Sequence, residues 1–240
     1  FSSNLWYIRV ITPSFVFKLF KVVPKDLLID NNSSINTDIM NFLSIDCSTD
    51  IGSLFVKTKS KTFNKILQSD KFNNDLLMKQ IFVFFEENDL SFDDISEILV
   101  NQGPGNFSGL RGSIATAKGI SLSKNFKLYG YDTFIWSCVK FINKKDSIYS
   151  LIKFRDKYFI KKFDKNLISN SKAQKVTENE IIKKYNDKFI IIIKNATKNF
   201  DDKILRLNNL NIVDLDHNEL ELLKLNGLLE KDLIRPLYLT

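Results

Sequence analysis

The chain has 240 residues, 44% of them hydrophobic, which is enough for one large core or two small ones and excludes global disorder. Its two isolated cysteines, Cys47 and Cys138, exclude a disulfide scaffold and predict a cytoplasmic protein. A single histidine, His217, argues against metal catalysis. The net charge of +7 is compatible with a nucleic-acid partner, but we favour a diffuse, solvated basic surface because lysines occur throughout the chain.

Residues 1–39 differ from the rest of the chain. Basic residues interrupt their apolar stretch, and its longest uncharged run, Val10 to Phe17, is far shorter than the roughly 18 residues of a membrane span. A secretory signal would carry its basic residues before the apolar core. Because Met40 immediately precedes a strong strand, we predict that the native product begins there and that 1–39 is an extension. A loosely attached leader is the alternative.

The first half after Met40 is predicted to contain a hairpin of strands at 41–47 and 52–58, followed by a helix over 73–87. The main apolar stripe of this helix consists of Leu77, Ile81, Phe84 and Phe85. Apolar residues also occur outside the stripe. The helix is therefore expected to be buried on both faces or docked to another protein.

A strand at 95–101 leads through a glycine-rich loop to a second predicted helix over 108–123, for which Ser108 is the N-cap if the loop is only a structural connection. Small residues share one face of this helix: Gly112, Ala115, Thr116 and Gly119. They allow a neighbouring helix to approach closely, which is also their ordinary structural use. A strand at 126–131 and the start of a linking helix follow.

The second half repeats this order of elements. We predict a hairpin over 148–163, a helix from the capping box at Thr177 to Tyr185, strands at 189–194 and 212–215, and a final helix over 219–229. The repeat predicts an α/β protein with lobes at 40–133 and 134–240, each a mixed sheet with helices outside.

The first segment that could carry chemistry is the turn with Asp46, Ser48 and Thr49. An acid at a strand end, followed by hydroxyl groups, can orient a phosphate and a hydrated magnesium ion. The alternative, which the spacing alone favours, is a tight turn that these side chains stabilise.

The second such segment runs from Gly103 to Arg111. Glycines let a backbone approach a ligand, the following helix N-terminus favours anions, and Arg111 could add a charge-assisted bond. The alternative is a rigid connection between strand and helix. Seven of the eight glycines precede position 131, so the second lobe lacks the close backbone approach that a two-lobed nucleotide clamp needs. We predict no independent ATP hydrolysis and no cofactor. His217, in an acidic stretch that opens a helix, is interpreted as solvated or capping.

Both segments resemble the TsaB (YeaZ) family. Asp-Cys-Ser-Thr at 46–49 is similar to the family's Asp-Thr-Ser-Thr, and Gln-Gly-Pro-Gly-Asn-Phe-Ser-Gly-Leu-Arg at 102–111 resembles its hallmark Arg-Gly-Pro-Gly-Ser-Phe-Thr-Gly-Leu-Arg. The resemblance continues at 115–119 and in Pro-Leu-Tyr-Leu at 236–239. The loop residues that carry it are Gly103, Pro104, Gly105, Ser108, Gly109 and Arg111.

The resemblance implies the actin/Hsp70-like fold, in which each lobe is a ribonuclease-H-like mixed sheet flanked by helices. It also implies a non-catalytic subunit that pairs with TsaD, and is joined by TsaE, to make N6-threonylcarbamoyladenosine in tRNA. The family pairs through first-lobe helices, which correspond to 73–87 and 108–123. The apolar stripe and the small residues named above would then form the partner interface, and Asp46, Ser48 and Thr49 a vestigial phosphate loop. The sequence leaves open whether the chain forms a homodimer through the helix over 73–87 when TsaD is absent.

Three segments depart from the family pattern: Phe72-Asn73-Asn74 in place of His-Ser-Glu, Lys153-Phe154-Arg155 in place of Asp-Ala-Arg, and Lys194-Asn195 in place of a glycine. The second lobe is therefore expected to be degenerate for nucleotide binding. Two rival functions remain. One is an active kinase, ATPase or glycoprotease-like hydrolase of the same fold, and the other is a free-standing RNA-binding module.

Overall fold

Two five-stranded mixed sheets organise the computed structural model, which describes residues 40–49, 51–67 and 74–239. The predicted extension at 1–39 and the departures at positions 72 and 73 lie outside the described residues. Within the described part, none of the helices combines the length and the apolar character that crossing a membrane requires.

The first sheet has the strand order β3-β2-β1-β4-β5. The elements of this lobe are β1 (Phe42–Asp46), β2 (Gly52–Lys57), β3 (Thr62–Leu67), α1 (Asn74–Glu87), β4 (Glu97–Asn101), α2 (Phe107–Lys124) and β5 (Lys127–Tyr131). The strand β2 runs antiparallel to both of its neighbours, β1 and β3, whereas β4 and β5 extend the sheet in parallel from β1. Every residue of β1 and β4 is buried, as expected for central strands covered on both faces.

The second sheet has the order β10-β9-β6-β7-β8. The elements of this lobe are α3 (Thr133–Cys138), β6 (Ser147–Phe154), β7 (Lys157–Asp164), β8 (Gln174–Val176), α4 (Glu178–Tyr185), β9 (Ile190–Ile193), α5 (Asp202–Leu205), β10 (Leu210–Val213) and α6 (Leu220–Leu225). Its first strand, β6, pairs with the antiparallel strand β7 on one side and with the parallel strand β9 on the other, as β1 pairs with β2 and β4 in the first sheet. This repeated topology confirms the predicted actin/Hsp70-like class with two ribonuclease-H-like sheets.

Several elements differ from the sequence prediction: the short helix α5 was not predicted, and the strand expected at 212–215 lies at Leu210–Val213. The strands β3 and β8 were not predicted, because both are short, polar edge strands with one weakly apolar face. The last helix ends at Leu225 rather than near 229. There Gly227 has a φ of 68°, and the N–H groups of Gly227 and Leu228 bond back to Lys224 and Leu223. This pair of bonds is the Schellman arrangement that closes a helix.

The C-terminal segment, residues 230–239, returns to the first sheet. Gly130 and Glu230 exchange two backbone hydrogen bonds of 2.8 Å, and the N–H of Leu237 donates to the carbonyl of Gln102 at 2.6 Å. The side-chain amide of Gln102 also donates hydrogen bonds to the backbone carbonyls of Leu233 and Arg235. The first lobe is therefore completed by residues that the sequence prediction placed in the second.

Candidate functional site

The two segments singled out from the sequence lie against each other. Because β1 and β4 are parallel neighbours, the turn after Asp46 and the loop after Asn101 leave the sheet at the same edge. The N–H of Asn106 donates to the carbonyl oxygen of Ser48 at 2.7 Å. The loop and the turn are thus bonded backbone to backbone.

Two glycines make this contact possible. A Cβ atom at Gly105 would lie 1.8 Å from the carbonyl oxygen of Ser48, and one at Gly109 would lie 2.3 Å from that of Cys47. Real Cβ atoms do not come so close to a carbonyl oxygen. The sequence analysis expected these glycines to let the backbone approach a ligand. In the structure they lie against the carbonyl oxygens of the protein's own turn.

The start of α2 is capped by Asn106, and the prediction of Ser108 as the N-cap is wrong. The helix begins at Phe107, and the Asn106 Oδ1 atom accepts hydrogen bonds from the N–H groups of Ser108 and Gly109 at 3.1 and 3.4 Å. Ser108 itself is the second residue of the helix and is exposed. Two of the N–H groups that could attract an anion at this terminus are therefore already satisfied.

Asp46 is buried and bonded to its own chain. Its Oδ1 atom accepts hydrogen bonds from the N–H of Ser48 at 2.9 Å and from the Asn101 amide at 3.1 Å. Burial raises the pKa of this carboxyl, and the bonds from Ser48 and Asn101 oppose the rise. Thr49 is exposed and donates to the carbonyl of Ile51. These contacts match the alternative given above, a turn stabilised by its own side chains.

Asn101, at the end of β4, is the centre of a buried polar network that the sequence prediction missed. Its Nδ2 atom lies 3.1 Å from Asp46 Oδ1, 3.2 Å from Ser48 Oγ and 3.0 Å from Thr133 Oγ1. Its Oδ1 atom accepts from the N–H of Gly103 at 2.8 Å. The side chain thus joins β1, the loop and the start of α3. In the sequence, the only indication of this network is that the polar residue Asn101 ends an otherwise apolar strand.

His217 is neither solvated nor a cap, so the interpretation made from the sequence is wrong. Its Nδ1 atom lies 3.0 Å from Ser44 Oγ and its Nε2 atom 2.9 Å from Ser53 Oγ. The ring stacks on Phe55, with centroids 5.2 Å apart, and contacts Trp136. Burial lowers the pKa of His217 to about 4. The contact joins β1 and β2 to the segment that precedes α6, and nothing near position 217 in the sequence indicates it.

The apolar stripe of α1 faces inward. Leu77, Ile81, Phe84 and Phe85 are all buried in the core of the first lobe. These side chains support the helix from behind and do not reach its outer surface. Phe82, by contrast, is 53% exposed, and its ring contacts the edge of Phe92.

The small residues of α2 divide between its two faces. Gly112 is buried on the inner face, whereas Ala115 and Gly119 are exposed and Thr116 is half-buried. A Cβ atom at Gly119 would meet no other atom within 4 Å. Leu122, one turn further on, is 84% exposed. Phe82, Ala115, Gly119 and Leu122 are called the α1–α2 surface below.

Arg111 does not point into the turn. Its guanidinium carbon lies 5.0 Å from the centre of the Phe107 ring, and that ring stacks on Tyr238 with centroids 5.4 Å apart. Phe107 and Tyr238 are each about half exposed. Among the described residues, no group of three or more His, Cys, Asp or Glu side chains is placed to hold a metal ion.

Two sequence comparisons match part of the chain. A family model described as TsaD, tRNA N6-adenosine threonylcarbamoyltransferase, matches residues 69–146. The tRNA threonylcarbamoyladenosine biosynthesis protein TsaB of Buchnera aphidicola subsp. Baizongia pistaciae (strain Bp) is 33% identical over 89 residues. That match covers 36% of this chain and 39% of the relative's length.

Two solved structures share the fold over most of the chain. YeaZ from Pseudomonas aeruginosa superposes with a TM-score of 0.60 at 15% identity, over 84% of this chain and all of the other. A second Pseudomonas aeruginosa chain, described as similar to the peptidase YeaZ, gives the same TM-score of 0.60 at 14% identity. The structural likeness shows the fold, and the two sequence matches show a similarity to TsaD and TsaB proteins over part of the chain.

Proposed function

We propose that this protein is a non-catalytic, cytoplasmic subunit of the machinery that makes N6-threonylcarbamoyladenosine in tRNA. In this proposal it docks on TsaD and holds TsaD in a conformation competent for transfer, and TsaE joins the pair. The name of the Buchnera aphidicola relative supports the pathway. Our proposal of the partner rests on the α1–α2 surface.

The observation that carries the proposal is the open, small-residue face of α2. A Cβ atom at Gly119 would lie in open space, the side chain of Ala115 is exposed, and Leu122 projects as an apolar side chain one turn further on. Such a face lets another helix pack at close distance. Phe92 joins the two helices at one end, because its ring contacts Phe82 and lies below the ammonium group of Lys124.

A non-catalytic role is supported by the loop that the family resemblance marks as vestigial. Asp46 is buried in bonds to Ser48 and Asn101, and Gly105 lies against the carbonyl of Ser48. One oxygen of this carboxylate already accepts two hydrogen bonds, and the residue is only 6% exposed, so it presents little surface to a hydrated cation. We expect no nucleotide turnover by the isolated chain.

Pairing can be tested with a matched pair of leucines. Leu122 of α2 is 84% exposed and Leu225 of α6 is 75% exposed, so each tolerates arginine without disturbing the core. We expect Leu122→Arg and Gly119→Arg to weaken binding to the cognate TsaD by at least about tenfold, which is ~1.4 kcal/mol. Leu225→Arg should bind like the unchanged protein. Isothermal titration calorimetry and co-elution measure both.

The same variants test function in a reconstituted reaction with TsaD, TsaE, threonylcarbamoyl donor and tRNA. Modified tRNA should appear only when this chain is present, and its yield should fall with Leu122→Arg but not with Leu225→Arg. Equal binding by all variants would rule out the α1–α2 surface as the TsaD interface. Formation of modified tRNA without this chain would rule out the proposed role.

A further inference from the structure

A groove of about 850 Å³ lies between the second lobe and the C-terminal segment. One wall is formed by residues 169–173, the other by residues 235–239, and Phe159 and Lys161 of β7 also line it. We call it the tail groove. It is separate from the α1–α2 surface and from the turn at Asp46, and neither the fold nor the proposed docking uses it.

The lining of the tail groove carries positive charge without any acidic side chain. Its cations are Lys161, Lys172 and Arg235. Lys161 is paired with Asp132 at 2.8 Å, which offsets part of its charge. Within the described part of the chain, Lys172 and Arg235 make no ion pair. Two uncompensated cations facing one groove favour an anionic ligand.

An aromatic ring is held at the same groove. Tyr238 lines it and is 48% exposed, while its ring is stacked on Phe107. Phe107 is in turn covered by the guanidinium group of Arg111. Tyr238 is thus fixed by contacts from α2 and still presents part of its surface. Aromatic rings beside basic groups are the arrangement with which proteins hold unpaired nucleotides.

The distribution of charge along the chain agrees with an anionic ligand on this side of the molecule. Residues 134–240 contain 21 Lys and Arg against 14 Asp and Glu, whereas residues 40–133 contain 10 against 11. The net positive charge therefore belongs to the second lobe and C-terminal segment.

We propose that the tail groove binds a single-stranded segment of RNA, with phosphate groups on Lys172 and Arg235 and one base against Tyr238. The choice of RNA rests on the proposed function, since a tRNA is the substrate of the reaction. Ser169, Asn170 and Ser171 on the facing wall supply polar groups for the sugar and the base edges. The isolated chain should therefore bind RNA weakly, and a complex with TsaD should bind tRNA partly through this groove.

The direct test is fluorescence anisotropy of the full chain with a labelled 12-nucleotide single-stranded RNA of mixed sequence. Arg235→Gln, Lys172→Gln and Tyr238→Leu should each weaken binding about fivefold or more, because each removes a phosphate contact or a base stack. The matched control is Lys183→Gln, an exposed lysine on α4 that does not line the groove. Thermal unfolding checks that every variant is folded.

Three outcomes would overturn the inference. If Lys183→Gln weakens binding as much as Lys172→Gln, the interaction is diffuse electrostatics. If Tyr238→Leu has no effect, no base stacks there. If AMP displaces the RNA at equal molar concentration, the groove is a mononucleotide site. Arg235→Gln should also lower the salt dependence of binding by about one ion, because a phosphate contact is lost.

A second measurement separates this inference from the proposed function. In the reconstituted reaction, Arg235→Gln should raise the KM for tRNA about fivefold while co-elution with TsaD stays unchanged. An unchanged KM with normal pairing would remove the tail groove from tRNA binding and leave the scaffold role intact. Failure of the unchanged protein to pair with TsaD would remove the scaffold role whatever the RNA titration gives.

Discussion

Gly105 and Ser48 are so close that a Cβ atom at Gly105 would lie 1.8 Å from the carbonyl oxygen of Ser48. The neighbouring residue, Asn106, donates its N–H to that same oxygen. The glycine-rich loop is therefore bonded to the turn of the first hairpin through the backbone, and the Asn101 side chain adds hydrogen bonds to both segments. This contact turns two sequence motifs into one structural unit, which holds the start of α2 against the end of β1.

Replacing Gly105 by alanine is expected to destabilise the protein by about 2 kcal/mol or more, because the new methyl group has no space and the loop must move. Gly119→Ala is the matched control. It adds the same methyl group in open space within a helix, so it should stabilise the protein by about 0.5–1 kcal/mol. Urea denaturation measures both changes. Equal stabilities of the two variants would contradict the close contact.

Asp46 offers a test of whether its carboxylate is structural. Asp46→Asn keeps an oxygen that can accept from Ser48 and Asn101, so we expect unfolding free energy and modification activity close to those of the unchanged protein. Asp46→Leu leaves both donors buried without an acceptor, and each such loss costs about 1–3 kcal/mol. Urea denaturation and the reconstituted reaction give the two readouts. Loss of activity in a stable Asp46→Asn protein would instead indicate a cation or phosphate ligand.

His217 and Glu219 are expected to give opposite pH dependences of stability. Burial lowers the pKa of His217 to about 4. Its folded state resists protonation, so its contribution is present above the ordinary pKa of 6.5 and is lost as pH falls toward 4, by up to about 3 kcal/mol. Burial raises the pKa of Glu219 to about 7, against the opposing charge of Lys140. Its contribution is present below pH 4.5 and is lost as pH rises through 7.

Between about pH 4.5 and 6.5, the titration of His217 raises the free energy of unfolding with pH and that of Glu219 lowers it. The two contributions should therefore nearly cancel in the unchanged protein over this interval. Glu219→Gln removes one of them. Its unfolding free energy should rise with pH across this interval and exceed that of the unchanged protein at pH 8. His217→Gln should show a lower overall stability that falls with pH. Urea denaturation at four pH values tests this, and parallel curves for all three proteins would contradict both pKa assignments.

Elements that depend on neighbouring residues in the sequence were predicted better than contacts between residues far apart in the chain. Apolar residues were sufficient to predict α1 and the central strands, because the burial of one helix stripe or one strand is a local property of the sequence. The glycines at 105 and 109 were correctly read as places of close approach. Their partner could not be identified, since the turn at Cys47 and Ser48 is brought there only by the pairing of β1 with β4.

Longer-range contacts left no local signal. His217 lies between acidic and polar neighbours, and its serine partners are more than 160 residues away in the chain. The orientation of α1 was also ambiguous, because apolar residues occur on more than one side of it. Only the packed core shows that Leu77 and Phe84 face inward and Phe82 outward. Residues that depend on the assembled fold were thus predicted least well.

The ion pair between Glu97 and Lys224 fastens α6 to the start of β4. The ammonium nitrogen of Lys224 lies 2.6 Å from both carboxylate oxygens, and the Glu97 side chain is 7% exposed. Removing only the cation leaves a buried charge without a partner. We expect Lys224→Met to destabilise the protein by about 3 kcal/mol, the lower end for a broken buried pair, because the Lys224 side chain is 29% exposed.

The double variant Glu97→Leu/Lys224→Met tests the cause of that loss. With both charges replaced by apolar side chains, no carboxylate remains buried, and the free energy of unfolding should return to within about 1 kcal/mol of the unchanged protein. A double-mutant cycle from urea denaturation gives the coupling between the two positions. If the double variant is less stable than Lys224→Met alone, the pair stabilises the fold through packing around α6 rather than through its charges.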